Sequence, residues 1–202
     1  MQKYLLNIGI ICGISIIGVQ CFAVLYELFG LELSSLTTAI DLFNYSCHII
    51  ILVMLYKIVV VEKEQFKLRT ALTSLIATLV LITIFSTMAY FKVEYKISAL
   101  LLIFFSFINL IFYFILISKL NSIDNSELKY AGQLHNYGLA FIVVFLLQLL
   151  LSVFMEFYRQ YDLKFISHII HPIPIIFIVL FFKLTQNDIK KNQKPVPNKE
   201  LS

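Results

Sequence analysis

The stretch "TALTSLIATLVLITIFSTMAY", Thr70–Tyr90, contains no charged residue. A helix crossing the hydrocarbon core needs roughly 20 apolar residues, and this stretch supplies them without interruption. "ISALLLIFFSFINLIFYFILIS", Ile97–Ser118, does the same. In lipid no water satisfies a bare backbone amide, so a crossing segment is either a helix or a strand of a closed barrel. Barrel strands alternate apolar and polar residues over about ten positions, and neither stretch alternates. Both read as membrane helices.

Working outward, four further stretches have the same character, giving spans at about Tyr4–Leu28, Leu36–Val60, Thr70–Tyr90, Ile97–Leu120, Tyr137–Tyr158 and Phe165–Leu184. The expected fold is all-α: a polytopic integral membrane protein, a compact bundle of about six transmembrane helices. Composition agrees, since 60% of the 202 residues are hydrophobic and 14% are charged. A soluble domain has about 45–50% apolar and about 25% charged residues. Connections are short, so the domain plan is a transmembrane domain over residues 1–186 and a basic, disordered cytoplasmic tail over 187–202, "NDIKKNQKPVPNKELS".

Cations set the orientation. With the N-terminus inside, the cytoplasmic side holds Lys3, Lys57, Lys63, Lys67, Arg69, Lys119, Lys129, Lys183, Lys190, Lys191, Lys194 and Lys199. The outer side holds only Lys92, Lys96, Arg159 and Lys164. Both termini are therefore expected in the cytoplasm, with a bacterial inner membrane as the location. The net charge of +4 is a topology signal and does not indicate nucleic-acid binding. Tyr4, Tyr26, Tyr56, Tyr90, Tyr95, Tyr137, Tyr158 and Tyr161 fall near span ends and read as an interfacial belt. The first span is too long for a signal-peptide core and lacks a small-residue cleavage pattern, so it is expected to be retained. Cys12, Cys21 and Cys47 lie within spans without metal spacing and read as small hydrophobes.

Polar residues concentrate on one side. In "DLFNYSCHII", Asp41, Asn44, Tyr45 and His48 fall within a sector of about 100° on a helical wheel. Gln148, Ser152 and Glu156 recur every four residues in the fifth span, and His168 and His171 share a face in the sixth. Gln20, Glu27, Thr83, Ser86, Thr87, Ser106 and Asn109 add to the same outer half, whereas the inner half is nearly all aliphatic and aromatic. Intramembrane ionisable groups are costly and generally face a bundle interior or watery cavity. The expectation is a ligand-binding pocket formed by Asp41, Asn44, Tyr45, His48, Gln148, Ser152, Glu156, His168 and His171, with Asp41 paired to His171. In "HIIHPIPII", Pro172 removes a donor and strains the turn at His168, which predicts a kink beside the histidines.

Three imidazoles with one open position suit zinc, so His48, His168 and His171 are the candidate metal ligands. Asp41-x-x-Asn44-x-x-x-His48 followed by a late histidine pair resembles the pattern of the alkaline-ceramidase, adipoQ-receptor and hemolysin III superfamily. That resemblance implies an intramembrane zinc protein, in a superfamily some of whose members have amide hydrolase activity. The superfamily has seven spans and a histidine pair separated by three residues, against six spans and a two-residue separation here. Haem is disfavoured: at a rise of about 1.5 Å per residue, His48 lies about 18 Å deep, His168 about 4 Å and His171 about 9 Å, and His135 falls in a cytoplasmic loop. No catalytic motif, inverted repeat or selectivity-filter sequence is visible. The reading that needs least is a non-catalytic membrane subunit that senses a ligand or couples to a membrane or cytoplasmic protein partner. The alternatives are a channel or permease subunit forming a pore as a homo-oligomer, and an intramembrane zinc-dependent hydrolase.

The cation pattern makes a direct prediction. Reporter fusions after Gly30, Lys92 and Gln160 should report an external location, and a fusion after Asn125 an internal one. An external C-terminal tag would overturn the assignment.

Overall fold

The structure, a computed structural model, describes residues 2–29, 36–123, 127–157 and 164–192. Every regular element among them is helical: α1 Gln2–Leu28, α2 Thr37–Tyr56, α3 Arg69–Tyr90, α4 Tyr95–Leu120, α5 Ala131–Phe157, α6 Lys164–Ile170 and α7 Ile173–Asn192. Six helical stretches are long and apolar enough to cross a membrane, with α6 and α7 forming the last.

Local chemistry explains the junctions. α2 widens into π-helical turns over Lys57–Glu62, where Lys63 N–H reaches back to the Ile58 carbonyl at 3.1 Å. Charge then halts the helix, and Phe66–Leu68 form a short 3₁₀ turn into α3. α3 and α4 are joined by Phe91–Glu94, a turn tight enough that Lys92 (φ 57°) and Glu94 (φ 43°) take left-handed backbone. Such conformations are uncommon for residues with a Cβ, and here they keep the connection short. The sixth span breaks at His171–Pro172 as the proline predicts, and the helix resumes with Ile176 N–H bonded to the Pro172 carbonyl at 3.2 Å.

Two boundaries differ from the sequence reading. α5 starts at Ala131, so Tyr137 lies well inside it and His135 is helical, outside any loop. Ala131 and Leu134 supply the buried face that carries the helix backward through this polar segment. α7 continues past Leu184 to Asn192, into the segment expected to be a tail. Asp188 anchors that extension: Lys129 Nζ lies 2.7 Å from its carboxylate, and Tyr130 donates to it at 2.8 Å. This hydrogen bond holds the Lys129 ammonium above its ordinary pKa range. Residues 193–202 lie outside the described residues.

Successive helices pack side by side, and α7 closes the circuit against α5 and α1. The result is an antiparallel ring. Asn7 and Gln186 are hydrogen-bonded at the end that carries the termini, and Lys67 faces Glu127 there at 4.0 Å. Gln20 and His168 meet at the opposite, distal end, 2.7 Å apart. The half near the termini is densely filled by Leu6, Leu55, Ile58, Leu72, Leu116, Leu134, Phe181 and Phe182, all buried. Outward faces are apolar, as Leu100, Ile103, Phe104, Phe107, Ile111 and Phe114 along α4 illustrate. A continuous exposed apolar surface of this kind suits lipid as solvent and would drive association in water.

Close approach of α1 to α7 depends on small residues. A Cβ at Gly9 would strike the Phe182 ring, and one at Gly13 the Val179 side chain, whereas Gly18 faces open space. Gly9→Val should therefore lower stability by about 1–3 kcal/mol through overpacking. Gly18→Ala should be neutral or stabilising by up to about 1 kcal/mol. Thermal unfolding of both variants in detergent checks this, and equal effects would contradict the packing.

Candidate functional site

At the axis of the ring, towards the distal end, lies a cavity of about 160 Å³. Every span contributes to its wall: Ile16 from α1; Asn44, Tyr45 and His48 from α2; Leu79 and Ile82 from α3; Ser106 and Asn109 from α4. α5 adds Phe141, Val144, Phe145 and Gln148, and the break in the last span adds His171, Pro174 and Ile175. None of these residues is an Asp, Glu, Lys or Arg.

The stripe on α2 explains how polar groups reach this axis. Asn44 and His48 are four residues apart and face inward, 4% and 6% exposed, and Leu52 continues the same face into the packed half. His48 Nε2 is hydrogen-bonded to the Tyr137 hydroxyl, which lies 2.7 Å from the Tyr113 hydroxyl; Tyr113 is itself 3.2 Å from His48. A chain in which Tyr113 donates to Tyr137 and Tyr137 donates to His48 satisfies both hydroxyls. It leaves Nε2 as the acceptor and places the imidazole proton on Nδ1. Nδ1–H has no partner among the described residues. Both tyrosines are fully buried, and Phe141 stacks on Tyr113 at 3.9 Å. Of this cluster His48 lines the cavity, and the two tyrosines lie behind it, towards the packed apolar half.

The walls are unevenly satisfied. Thr78 donates to Asn109 Oδ1 at 2.8 Å, and Ser106 to its own helix at the Leu102 carbonyl. Gln148 Nε2 lies 3.3 Å from Ser167 Oγ and 3.4 Å from His171 Nδ1. By contrast, both side-chain polar atoms of Asn44 are buried without a hydrogen-bond partner among the described residues. A buried amide left unpaired costs about 1–3 kcal/mol for each group, and such groups in native folds are few.

A second polar cluster sits at the distal end of α1. His168 Nδ1 donates to Gln20 Oε1 at 2.7 Å, and its Nε2 is 3.7 Å from Glu27 Oε1. Here the structure departs from the expected site. His168 turns to α1, His171 to Gln148 and His48 to the tyrosines, so the three histidines do not share a centre. Among the described residues no group of three His, Cys, Asp or Glu side chains is placed to hold a metal ion. The expected Asp41–His171 bond is absent too: among the described residues Asp41 makes no hydrogen bond or ion pair. Matching depths along two straight helices put them level, but depth does not fix which way a helix face turns, and His171 meets Gln148 of α5 at 3.4 Å. Ser152 is exposed and donates to the Gln148 carbonyl of its own helix at 2.8 Å, away from the cavity lining. The Glu156 side chain lies outside the described residues.

Tyr113 and Tyr137 went unrecognised in the sequence as site residues. Tyr137 looked interfacial because α5 starts earlier than its hydropathy suggests. A tyrosine in mid-span, such as Tyr113, is itself the usable signal, since its hydroxyl must find a partner within the bundle.

Comparison with family models, curated proteins and solved structures finds no match.

The cluster of His48 with the two tyrosines predicts non-additive mutant effects. Tyr137→Phe leaves Tyr113 close enough to bond His48, so the loss should be about 1 kcal/mol. Tyr113→Phe with Tyr137→Phe strands the imidazole and should cost more than the two single changes together, by about 0.5 kcal/mol or more. A double-mutant cycle in detergent stability measures this, and strict additivity would show that the three groups act separately.

Proposed function

We propose that this chain is a non-catalytic integral membrane subunit that binds a small ligand in its axial cavity and relays occupancy to a partner at the termini end. It sits in a bacterial inner membrane with both termini in the cytoplasm, so the cavity opens to the extracytoplasmic side. The observation that carries the reading is a cavity walled by every span, whose His48 is hydrogen-bonded to the buried Tyr137 and Tyr113 behind it. Binding sites are concave, mostly apolar, and carry a few convergent polar groups. His48 both lines the cavity and bonds the tyrosines behind it, which supplies a physical route from ligand to Tyr113 on α4 and Tyr137 on α5.

Two alternatives have less support. A path along the axis of one chain would have to pass the buried tyrosines and the fully buried Leu55, Leu72 and Leu116, so a pore formed by an oligomer would have to run between copies. A zinc hydrolase needs ligands that converge, and the histidines take separate partners.

Cysteine accessibility tests the proposal. In a background lacking Cys12, Cys21 and Cys47, Ser106→Cys should react with a small membrane-impermeant thiol reagent added from the extracytoplasmic side. Leu116→Cys should react from neither side. Labelling at Leu116→Cys would favour a pore, and none at Ser106→Cys would remove the accessible pocket.

A further inference from the structure

Two of the three cysteines face each other across one helix contact. α1 lies antiparallel against α2, and Val19 of α1 packs in the apolar cluster that holds Ile40 of α2. Seven residues make about two helical turns. Seven back along α1 and seven on along α2 therefore return to the same seam, at Cys12 and Cys47. The two thiols are in hydrogen-bond contact there, and both are free. Cys21 is placed differently: nine residues beyond Cys12, it lies about 180° round the helix at about 100° per residue, and it is exposed.

We infer that Cys12 and Cys47 are a dithiol redox site, oxidised to an interhelix disulfide by a lipid-soluble quinone. The site operates whether or not the cavity binds a ligand. A disulfide requires Cβ atoms that face one another, and the register of α1 on α2 supplies this to Cys12 and Cys47 alone among the cysteines.

Position selects the oxidant. At a rise of about 1.5 Å per residue, Cys12 lies about 15 Å along α1 from Gln2, in the middle of the apolar run. Cys47 is buried in the hydrophobic core, and Cys12 packs against that core half-buried, beside the exposed Ile11. A charged oxidant would have to leave water to reach this depth, which is costly. A quinone dissolves in hydrocarbon, and Cys12 is the thiol it meets first. Two S–H bonds break and one S–S bond forms, releasing two electrons and two protons. The quinone takes up all four and leaves as the quinol, so no other reactant is needed. The new bond ties α1 to α2 one turn from Ile16 and one residue from His48, both of which line the cavity. Oxidation thus fixes two of its walls against each other.

The test uses the full-length protein with its native cysteines, reduced and placed in phosphatidylcholine vesicles without oxygen. Decylubiquinone is the probe, because its fully substituted ring accepts electrons but has no open carbon for thiol addition. Denaturation in N-ethylmaleimide, intact mass and peptide mapping then count the free thiols. Decylubiquinone should remove two hydrogens per chain, leave Cys21 as the one alkylated cysteine and yield one quinol per protein. Oxidised glutathione, charged and confined to water, should leave every thiol alkylated. Cys21→Ala should react like the unaltered protein, whereas Cys12→Ala and Cys47→Ala should each abolish quinol formation. Should either of these variants not fold, the peptide map of the unaltered protein identifies the joined pair.

Retention of every free thiol after decylubiquinone would overturn the inference, even if copper–phenanthroline joins Cys12 to Cys47. So would a disulfide that includes Cys21, or quinol formation that persists in Cys47→Ala. Equal oxidation by oxidised glutathione would show that the pair is reached from water and would overturn the quinone assignment.

Discussion

The hydrogen-bonded contact of His48 with Tyr137 and Tyr113, whose hydroxyls are 2.7 Å apart, divides the ring into two unlike halves. Three helices meet there through groups that lipid cannot satisfy. Interhelical hydrogen bonds in membranes contribute only about 1 kcal/mol each, but their specificity is high because the alternative is a buried polar atom with no partner. The triad fixes the relative rotation of α2, α4 and α5, and hence which side chains of each point to the axis. On the termini side of this contact the core is close-packed aliphatic and aromatic. On the distal side the same helices enclose a cavity.

That division accounts for where stability and function reside. Near the termini, Gly9 and Gly13 let α1 lie against Phe182 and Val179, and Asp188 ties the end of α7 to Lys129 and Tyr130. Towards the distal end, packing gives way to polar pairs: Gln20 with His168, Gln148 with Ser167 and His171, Thr78 with Asn109. Asn44 stands apart with both amide atoms unpaired. A fold selected for stability alone would place leucine there, because removing an unsatisfied buried amide is favourable. Local sequence that breaks the packing rule without structural compensation is expected at functional sites.

The last span divides its polar groups. His168 serves the α1 cluster and His171, at the break before Pro172, the cavity wall, so the polar groups form two separate sets.

Most of the architecture was legible in the sequence because the lipid constraint acts on single segments. Uninterrupted apolar runs must be helices, and Pro172 must interrupt the last one, whatever surrounds them. The inward direction of Asn44 and His48 was also readable, since helical periodicity puts polar residues of a membrane span on one face. Less was readable about partners. Depth along an ideal helix matched Asp41 to His171 and grouped three histidines, but which groups meet depends on tilt, rotation and breaks in neighbouring helices. Hydropathy likewise started α5 at Tyr137, whereas packing of Ala131 and Leu134 carries the helix back and turns an apparent interfacial tyrosine into a buried partner of His48. Periodicity is a property of one helix, and it determined the helices and their inward faces. Convergence is a property of several, and only the tertiary structure decided that His48 meets two tyrosines while the Asn44 amide finds no hydrogen-bond partner among the described residues.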